Sequence, residues 1–258
     1  MTRPFVLVQL SDPHVGAEWG GDDSVPKLVA AVAAVRALAP SPNAVLVSGD
    51  LADNAADAEY EQVRELLVPL EAPVYVLPGN HDNRAALRRH FDVPGGDAEP
   101  VQYAVDLGPL RLVVLDSTIP REIPGELGAD RLAWLDSTLA SGADTPTLVA
   151  VHHPPLATGI PAYDEMGLPA ADRHALGRVI NAHPQVRRVV AGHMHRTISA
   201  DLVGRSVLAV PSTYVQTQLE FGTQELQLSD EPCGFAVHTM LEGELVSHVL
   251  AVLPSPFA

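Results

Sequence analysis

Five short apolar runs in this chain each break off into residues that can bind a metal. Phe5–Leu10 runs into Ser11-Asp12-Pro13-His14, Ala44–Val47 into Ser48-Gly49-Asp50-Leu51-Ala52-Asp53, and Val74–Leu77 into Pro78-Gly79-Asn80-His81-Asp82. Thr147–Val151 runs into His152-His153-Pro154-Pro155, and Val186–Ala191 into Gly192-His193-Met194-His195. Short runs rich in Val, Leu and Ile and closed by Gly, Pro or Asp read as buried strands. In α/β sheets, ligands and catalytic groups collect at the carboxyl ends of strands. The pattern predicts buried strands of an α/β sheet, with Asp, His and Asn side chains gathered along one edge.

Between the strands lie helical patterns. Ser24 to Ala39 opens on a cap-like Ser24 with Pro26 in its first turn, and it sets Leu28, Val32, Val35 and Leu38 on one face. Tyr60, Val63, Leu66, Leu67 and Leu70 repeat that spacing, as do Leu132, Leu135 and Leu139, and then Leu176, Val179 and Ile180. Leu110–Leu115 adds a strand without a ligand at its end. In the last third, Arg205–Val210, Gly234–Leu241 and Glu244–Leu253 read as strands, the last two joined at Glu242-Gly243, a two-residue hairpin signal. Strand–helix alternation ending in a meander predicts a layered α/β sandwich. With no internal repeat or low-complexity linker, 1–258 reads as a single domain, with 205–253 its C-terminal strands. The proline-rich stretch 153–169 has little periodicity and reads as a long loop, a candidate lid.

Composition narrows the chemistry. The 32 acidic residues outnumber the 16 Lys and Arg, and a formal charge of −16 repels nucleic-acid polymers. Cys233, the one cysteine, excludes an internal disulfide framework and any thiolate-rich metal site. The apolar run that follows Met1-Thr2-Arg3-Pro4 is too short for a signal peptide, and no segment approaches the ~20 apolar residues of a membrane span. The expected location is the cytoplasm.

Each ligand-type block taken alone is weak. An isolated Asp-x-His is ordinarily a turn or a helix cap, a Gly-Asp ordinarily a turn, and neighbouring histidines are often merely solvated. Their recurrence at the same end of successive strands carries the reading. Hydrolysis of a phosphate ester needs a nucleophile and neutralisation of developing negative charge, and two metal ions ~3.5–4 Å apart supply both. One carboxylate must bridge the pair, and Asp50 is the natural candidate. Imidazole donors suit Mn, Fe, Zn or Co, where an all-oxygen set would favour Mg or Ca. Two dications outweigh Asp12, Asp50 and a bound hydroxide, so a monoanionic phosphodiester is attracted despite the acidic surface.

These blocks, in this order, resemble the calcineurin-like metallophosphoesterase superfamily over nearly the whole chain. Asp116-Ser117-Thr118, Gly125-Glu126-Leu127-Gly128, Leu132-Ala133-Trp134-Leu135, Pro211-Ser212-Thr213 with Gln216, and the closing hairpin from Gly234 to Val252 look like class III cyclic-nucleotide phosphodiesterases and their glycerophosphodiesterase relatives. The resemblance implies a four-layer α/β/β/α sandwich with mixed sheets. It implies that Asp12, His14 and His195 hold one metal, that Asp50 bridges, and that Asn80, His152 and His193 complete the second site. His81 would face the phosphate and protonate the leaving alkoxide, with Asp53 as the acidic partner that orients it. His153 is expected to stand behind the ligands, and Arg84 to be a helix-surface arginine, with contact to the substrate as the alternative. His90, His174, His183, His238 and His248 are expected to be ordinary surface or core histidines.

The implied activity is hydrolysis of small phosphodiesters, foremost 3′,5′-cyclic nucleotides (cyclic AMP to 5′-AMP), by attack of a metal-bound hydroxide. A glycerophosphodiesterase or a broad esterase on small phosphomono- and diesters is the alternative, since specificity lies in the loops 153–169 and 212–221. The implied partner is a small anionic phosphodiester. Relatives of this kind are often dimers, and the apolar C-terminal hairpin offers a surface for a homodimer.

Overall fold

Two sheets pack face to face, and helices cover the outer face of each. The computed structural model describes residues 3–253; residues 1–2 and 254–258, the two ends of the expected domain, lie outside the described residues. In chain order the elements are β1 (Phe5–Leu10), α1 (Ser24–Arg36), β2 (Ala44–Val47), α2 (Asp57–Leu67), β3 (Val74–Val76), α3 (Arg84–His90), β4 (Tyr103–Asp106), β5 (Arg111–Leu115), α4 (Gly128–Ala140) and β6 (Thr147–Val151). There follow α5 (Pro161–Met166), α6 (Ala170–Ala182), β7 (Val186–Ala191), β8 (Ile198–Leu202), β9 (Arg205–Ala209), β10 (Gln216–Thr217), β11 (Leu228–Ser229), β12 (Gly234–Leu241) and β13 (Glu244–Ala251). One sheet runs β13-β12-β1-β2-β3 and the other β4-β5-β6-β7-β9-β8. In the first, parallel β1, β2 and β3 run to one edge and the antiparallel β12–β13 hairpin closes the other; in the second, parallel β5, β6, β7 and β9 lie between antiparallel edge strands, so both sheets are mixed.

Strand alternation builds the layers. Val6, Val8 and Leu10 of β1 meet Leu28, Val32 and Val35 of α1 and Tyr60 and Val63 of α2, whereas Leu7 turns the other way, toward Leu112, Val114, Leu148, Ala150 and Val190 of the second sheet. On the far side, Val113, Leu115, Val149, Val151 and Val189 pack against Leu135 and Leu139 of α4 and Leu176 and Ile180 of α6. Central strands are buried on both faces, which is why they read as continuous apolar runs. The order of layers is α/β/β/α, as the resemblance implies. No helix among the described residues is long and apolar enough to cross a membrane.

The differences from expectation have local causes. α1 stops at Arg36, three residues short of Ala39, ahead of the prolines at 40 and 42. A residue before proline is driven out of the helical region. Its cap is Asp23, whose carboxylate accepts the Val25 amide at 2.9 Å; Ser24 is the first helical residue and is buried. The stretch 153–169 contains α5, a six-residue helix too short to show a period. α3, an arginine-rich helix burying only Ala86 and Leu87, and the edge strands β4 and β8 carry too little apolar pattern to announce themselves. The Glu242-Gly243 turn forms as expected, with φ of 52° and 85°, the left-handed pair that a tight hairpin needs.

One buried polar cluster ties the two sheets together. His238 of β12 is fully buried, its Nε2 3.0 Å from Gln9 Oε1 and its Nδ1 bonded to Ser247 Oγ, while Gln9 Nε2 donates to the Ala191 carbonyl of β7 at 3.2 Å. Burial, and then the Arg188 guanidinium, push the His238 pKa down to about 3. The folded chain therefore resists a proton that the unfolded chain accepts below pH ~6.5. His238 leaves stability intact above that value and erodes it as the pH falls from 6.5 toward 3, by up to about 1.4 kcal/mol per pH unit. Urea unfolding of chelator-treated protein between pH 7 and 4 should give a shallower loss for His238→Gln than for the parent. Equal slopes would place the acid sensitivity elsewhere.

Candidate metal centre

The ends of β1, β2 and β7 deliver Asp12, His14, Asp50 and His195, four buried residues whose ligand atoms lie within 4.8 Å of one another. His14 Nε2 stands 3.1 Å from His195 Nε2 and 3.5 Å from Asp50 Oδ2, and His195 Nε2 is 3.7 Å from Asp12 Oδ1. On the other side of Asp50 comes the end of β6, with His152 Nε2 3.4 Å from Asp50 Oδ2 and 3.1 Å from Asn80 Oδ1. His193 lies against His152, ring centroids 5.1 Å apart. The structure thus brings all seven residues of the expected ligand set together, with Asp50 between the two groups.

The backbone is bent sharply to achieve this. Asp12, His14, Asp50, His193 and His195 all have left-handed φ, between 44° and 67°. Non-glycine residues seldom adopt that conformation, and it persists where packing over-determines it. Two glycines make room: a Cβ on Gly49 would collide with the His152 ring, and one on Gly79 with the Asp50 carboxylate. Those contacts explain why Gly precedes the ligand-type residue in both Gly49-Asp50 and Gly79-Asn80.

Hydrogen bonds fix which nitrogen of each ring is free. His152 Nδ1 is 2.9 Å from the Ser48 carbonyl and His195 Nδ1 2.9 Å from the Val215 carbonyl, and a carbonyl only accepts. His14 Nδ1 faces the Asp53 carboxylate at 3.0 Å. In all three rings the proton sits on Nδ1, and the Nε2 lone pair faces inward. His193 is reversed: Nε2 donates to the Met166 carbonyl at 3.2 Å, leaving Nδ1 free. Imidazole lone pairs and carboxylates crowded at such distances with no donor between them fit a cation. Burial alone would lower His14 and His152, but for His14 the Asp53 hydrogen bond with Asp50 and Asp12 reverses the sign, and for His152 the Asp50 and Asp12 carboxylates raise it to about 9. His193 and His195 stay neutral, held down by burial and by neighbouring histidines.

His153 is close to His152 and His193 but has no lone pair to offer. Its Nε2 donates to the Ile123 carbonyl at 2.9 Å and its Nδ1 takes the Ser117 hydroxyl at 2.8 Å, while burial and then His152 push its pKa down to about 3. It stands behind the cluster with both ring nitrogens engaged.

His81 is held by main chain. Its amide donates to Asp50 Oδ1 at 2.9 Å, and its Nδ1 donates to the Asp53 carbonyl at 2.9 Å. The Asp53 carboxylate is 3.4 Å from that nitrogen and engages His14 and the indole of Trp19, each at 3.0 Å. Asp53 therefore orients His81 chiefly through its backbone oxygen. His81 opens on a cleft of about 340 Å³ over the cluster, with a wall of Trp19, Ile123, Tyr163, Met166 and Leu226.

The side chains behind the ligands make contacts that no local pattern announces. Gln9 Nε2 donates to Ser48 Oγ at 2.8 Å, Ser48 to Ser11 at 2.7 Å, and Ser11 to Asp12 Oδ2, a relay that fixes the Asp12 carboxylate. Trp19 sits alone in a loop, without a period to mark it. Arg84 is no surface residue: it clamps Asp116 at 2.8 Å and the Thr118 carbonyl at 2.8 Å. Gln216 is buried and donates to the Ser212 carbonyl at 2.7 Å.

A four-layer sandwich with imidazoles and carboxylates gathered at one edge of its sheets is the framework of a metal-dependent phosphoric ester hydrolase. The chain belongs to the calcineurin-like phosphoesterase family, whose model matches residues 5–197. It is 35% identical over 215 residues to the 3′,5′-cyclic adenosine monophosphate phosphodiesterase CpdA of Pseudomonas aeruginosa, covering 82% of this chain and 77% of that one. It is 30% identical over 220 residues to the glycerophosphodiester phosphodiesterase GpdQ of Enterobacter lignolyticus, covering 82% and 78%. A dimetal phosphatase from Danio rerio shares the fold, with a TM-score of 0.72, 17% identity and coverage of 97% and 98%.

Proposed function

We propose that this chain is a phosphodiesterase that opens 3′,5′-cyclic nucleotides to 5′-nucleotides at a centre of two divalent transition-metal ions. Asp12, His14 and His195 would hold one ion, Asn80, His152 and His193 the other, and Asp50 both. Bound there, the two ions would supply Lewis acidity for an attacking water and for the charge that develops on the phosphate. The chain itself does the rest. The hydrogen bonds to Ser48, Val215, Asp53 and Met166 keep imidazole lone pairs aimed inward. His81, with its Nδ1 proton held on the Asp53 carbonyl, presents its other nitrogen to the departing 3′-oxygen and gives it a proton.

The observation that carries the cyclic-nucleotide reading is the aromatic and apolar wall. A planar base can lie on Trp19 and among Ile123, Tyr163 and Met166, whereas a glycerol ester leaves that wall wet. The short helix α5 supplies Tyr163 and Met166, which supports 153–169 as the lid of the cleft. Val246 and Val249, exposed on the edge strand β13, support a homodimer through the closing hairpin. The net charge of −16 supports small esters over nucleic-acid polymers.

Mn²⁺-loaded protein should convert cyclic AMP to 5′-AMP efficiently and act weakly on glycerophosphoethanolamine. Trp19→Ala should raise KM for cyclic AMP by about tenfold or more, the scale of one base-stacking contact, with a smaller change for the glycerol ester. The reverse preference would hand the substrate to the glycerophosphodiesters and leave the metal centre untouched.

A further inference from the structure

A second groove of about 460 Å³ leaves the site on the other side of His81. Asn80 and His81 line both it and the aromatic cleft, so the two form one trough that crosses the centre. The walls differ in kind. The first is aromatic and apolar; the second holds Asn83, Thr118 and two arginines, Arg84 and Arg121.

The charges in the second groove are unequally available. Arg84 is spent on Asp116, Thr118 and the Ala98 carbonyl. The Asp82 carboxylate is buried beneath the amides of Leu51, Ala52 and Gly79 and the Tyr60 hydroxyl, so it does not meet the groove's contents as a bare charge. Arg121 is exposed, held out on a residue with φ of 69°, and has no carboxylate within salt-bridge distance among the described residues. Asp97 lies exposed on the same groove. In a chain of net charge −16, a free guanidinium beside the site is a selective feature for an anion.

We propose that this groove is a second substrate arm in which Arg121 binds a terminal phosphate, so that the site also cleaves 5′-phosphorylated linear dinucleotides. The inference rests on the reading that the aromatic cleft takes a nucleoside. The nucleoside whose 5′-oxygen carries the scissile phosphate lies in the aromatic cleft, as in cyclic AMP opening. The leaving nucleotide lies in the polar groove, with its 5′-phosphate on Arg121. Water supplies the oxygen that bonds to phosphorus, and its proton passes to solvent. The bond from phosphorus to the leaving 3′-oxygen breaks with its electron pair on that oxygen, which takes a proton from His81. One water is consumed and two 5′-mononucleotides result. A cyclic nucleotide keeps its leaving oxygen tethered and fills only the first arm.

The test compares kcat/KM of Mn²⁺-loaded protein for pApA and for ApA, which lacks the terminal phosphate, with cyclic AMP alongside. The expected preference for pApA is about tenfold, the scale of one charge-assisted contact, and Arg121→Asn should reduce it to about one. Asparagine tolerates the left-handed backbone at this position, so the variant is expected to fold. A parent ratio near one overturns the second arm even where cyclic AMP is turned over. A tenfold ratio that survives in Arg121→Asn overturns the role of Arg121. Loss of cyclic AMP cleavage alone, with the pApA preference and its dependence on Arg121 intact, overturns the cyclic-nucleotide reading and supports the groove.

Discussion

Asp50→Ala should cut turnover of every phosphodiester by at least about a thousandfold and lower the metal content from two ions to one or none. Asp50 lies between the two imidazole groups, 3.5 Å from His14 and 3.4 Å from His152, and its other oxygen takes the His81 amide. No neighbour can replace it, because Asp12 is held by the His193 amide and the Ser11 relay, and Asp53 is held on the outer nitrogen of His14 and the indole of Trp19. Its own pKa lies well below the usual carboxylate value. Burial would raise it, but His152 and then His14 and His81 more than reverse that, so it is ionised and ready to bridge at any working pH. Elemental analysis after Mn²⁺ loading, with circular dichroism to confirm folding, checks the metal half. Full activity in the variant would contradict the bridging role.

His81→Ala should keep the metals and still lose about 10²- to 10⁴-fold on cyclic AMP, the usual worth of a positioned general acid. On bis(4-nitrophenyl) phosphate, whose leaving group needs no proton, the loss should be less than about tenfold. The contrast between the two substrates is the diagnostic reading. Equal losses would make His81 a positioning residue that shapes the site through its bond to the Asp53 carbonyl. Metal content should be unchanged, since the Asp50 contact is made by the backbone amide, which alanine keeps, and the ring bonds the Asp53 carbonyl rather than a ligand.

Most of the centre is legible before folding because each ligand-type residue comes within four residues of a strand's end. A strand buried on both faces must be apolar, and the point where it stops must be a turn, so the change from Val and Leu to Gly, Asp or His is visible in one dimension. Phe5–Leu10, Thr147–Val151 and Val186–Ala191 match strand for strand. Short helices and edge strands escape that logic. α3 and α5 bury two residues each, and half-exposed β8 has no run to detect.

Residue order along the chain set out a layered α/β sandwich with Asp, His and Asn residues at one edge of its strands, because strand periodicity and turn chemistry are local properties; the family resemblance singled out the seven residues and His81 from among them. Tertiary structure alone decided the partners that local properties do not encode. It put the Gln9–Ser48–Ser11 relay under Asp12, the Asp53 carboxylate on His14 and Trp19, and Arg84 on Asp116 rather than on the surface. It also chose which nitrogen of each histidine faces inward, since that follows from carbonyls such as Ser48 and Val215 that lie more than a hundred residues away in one case and twenty in the other. A hydrogen bond forms between groups that packing brings together, and sequence records the groups without the meeting.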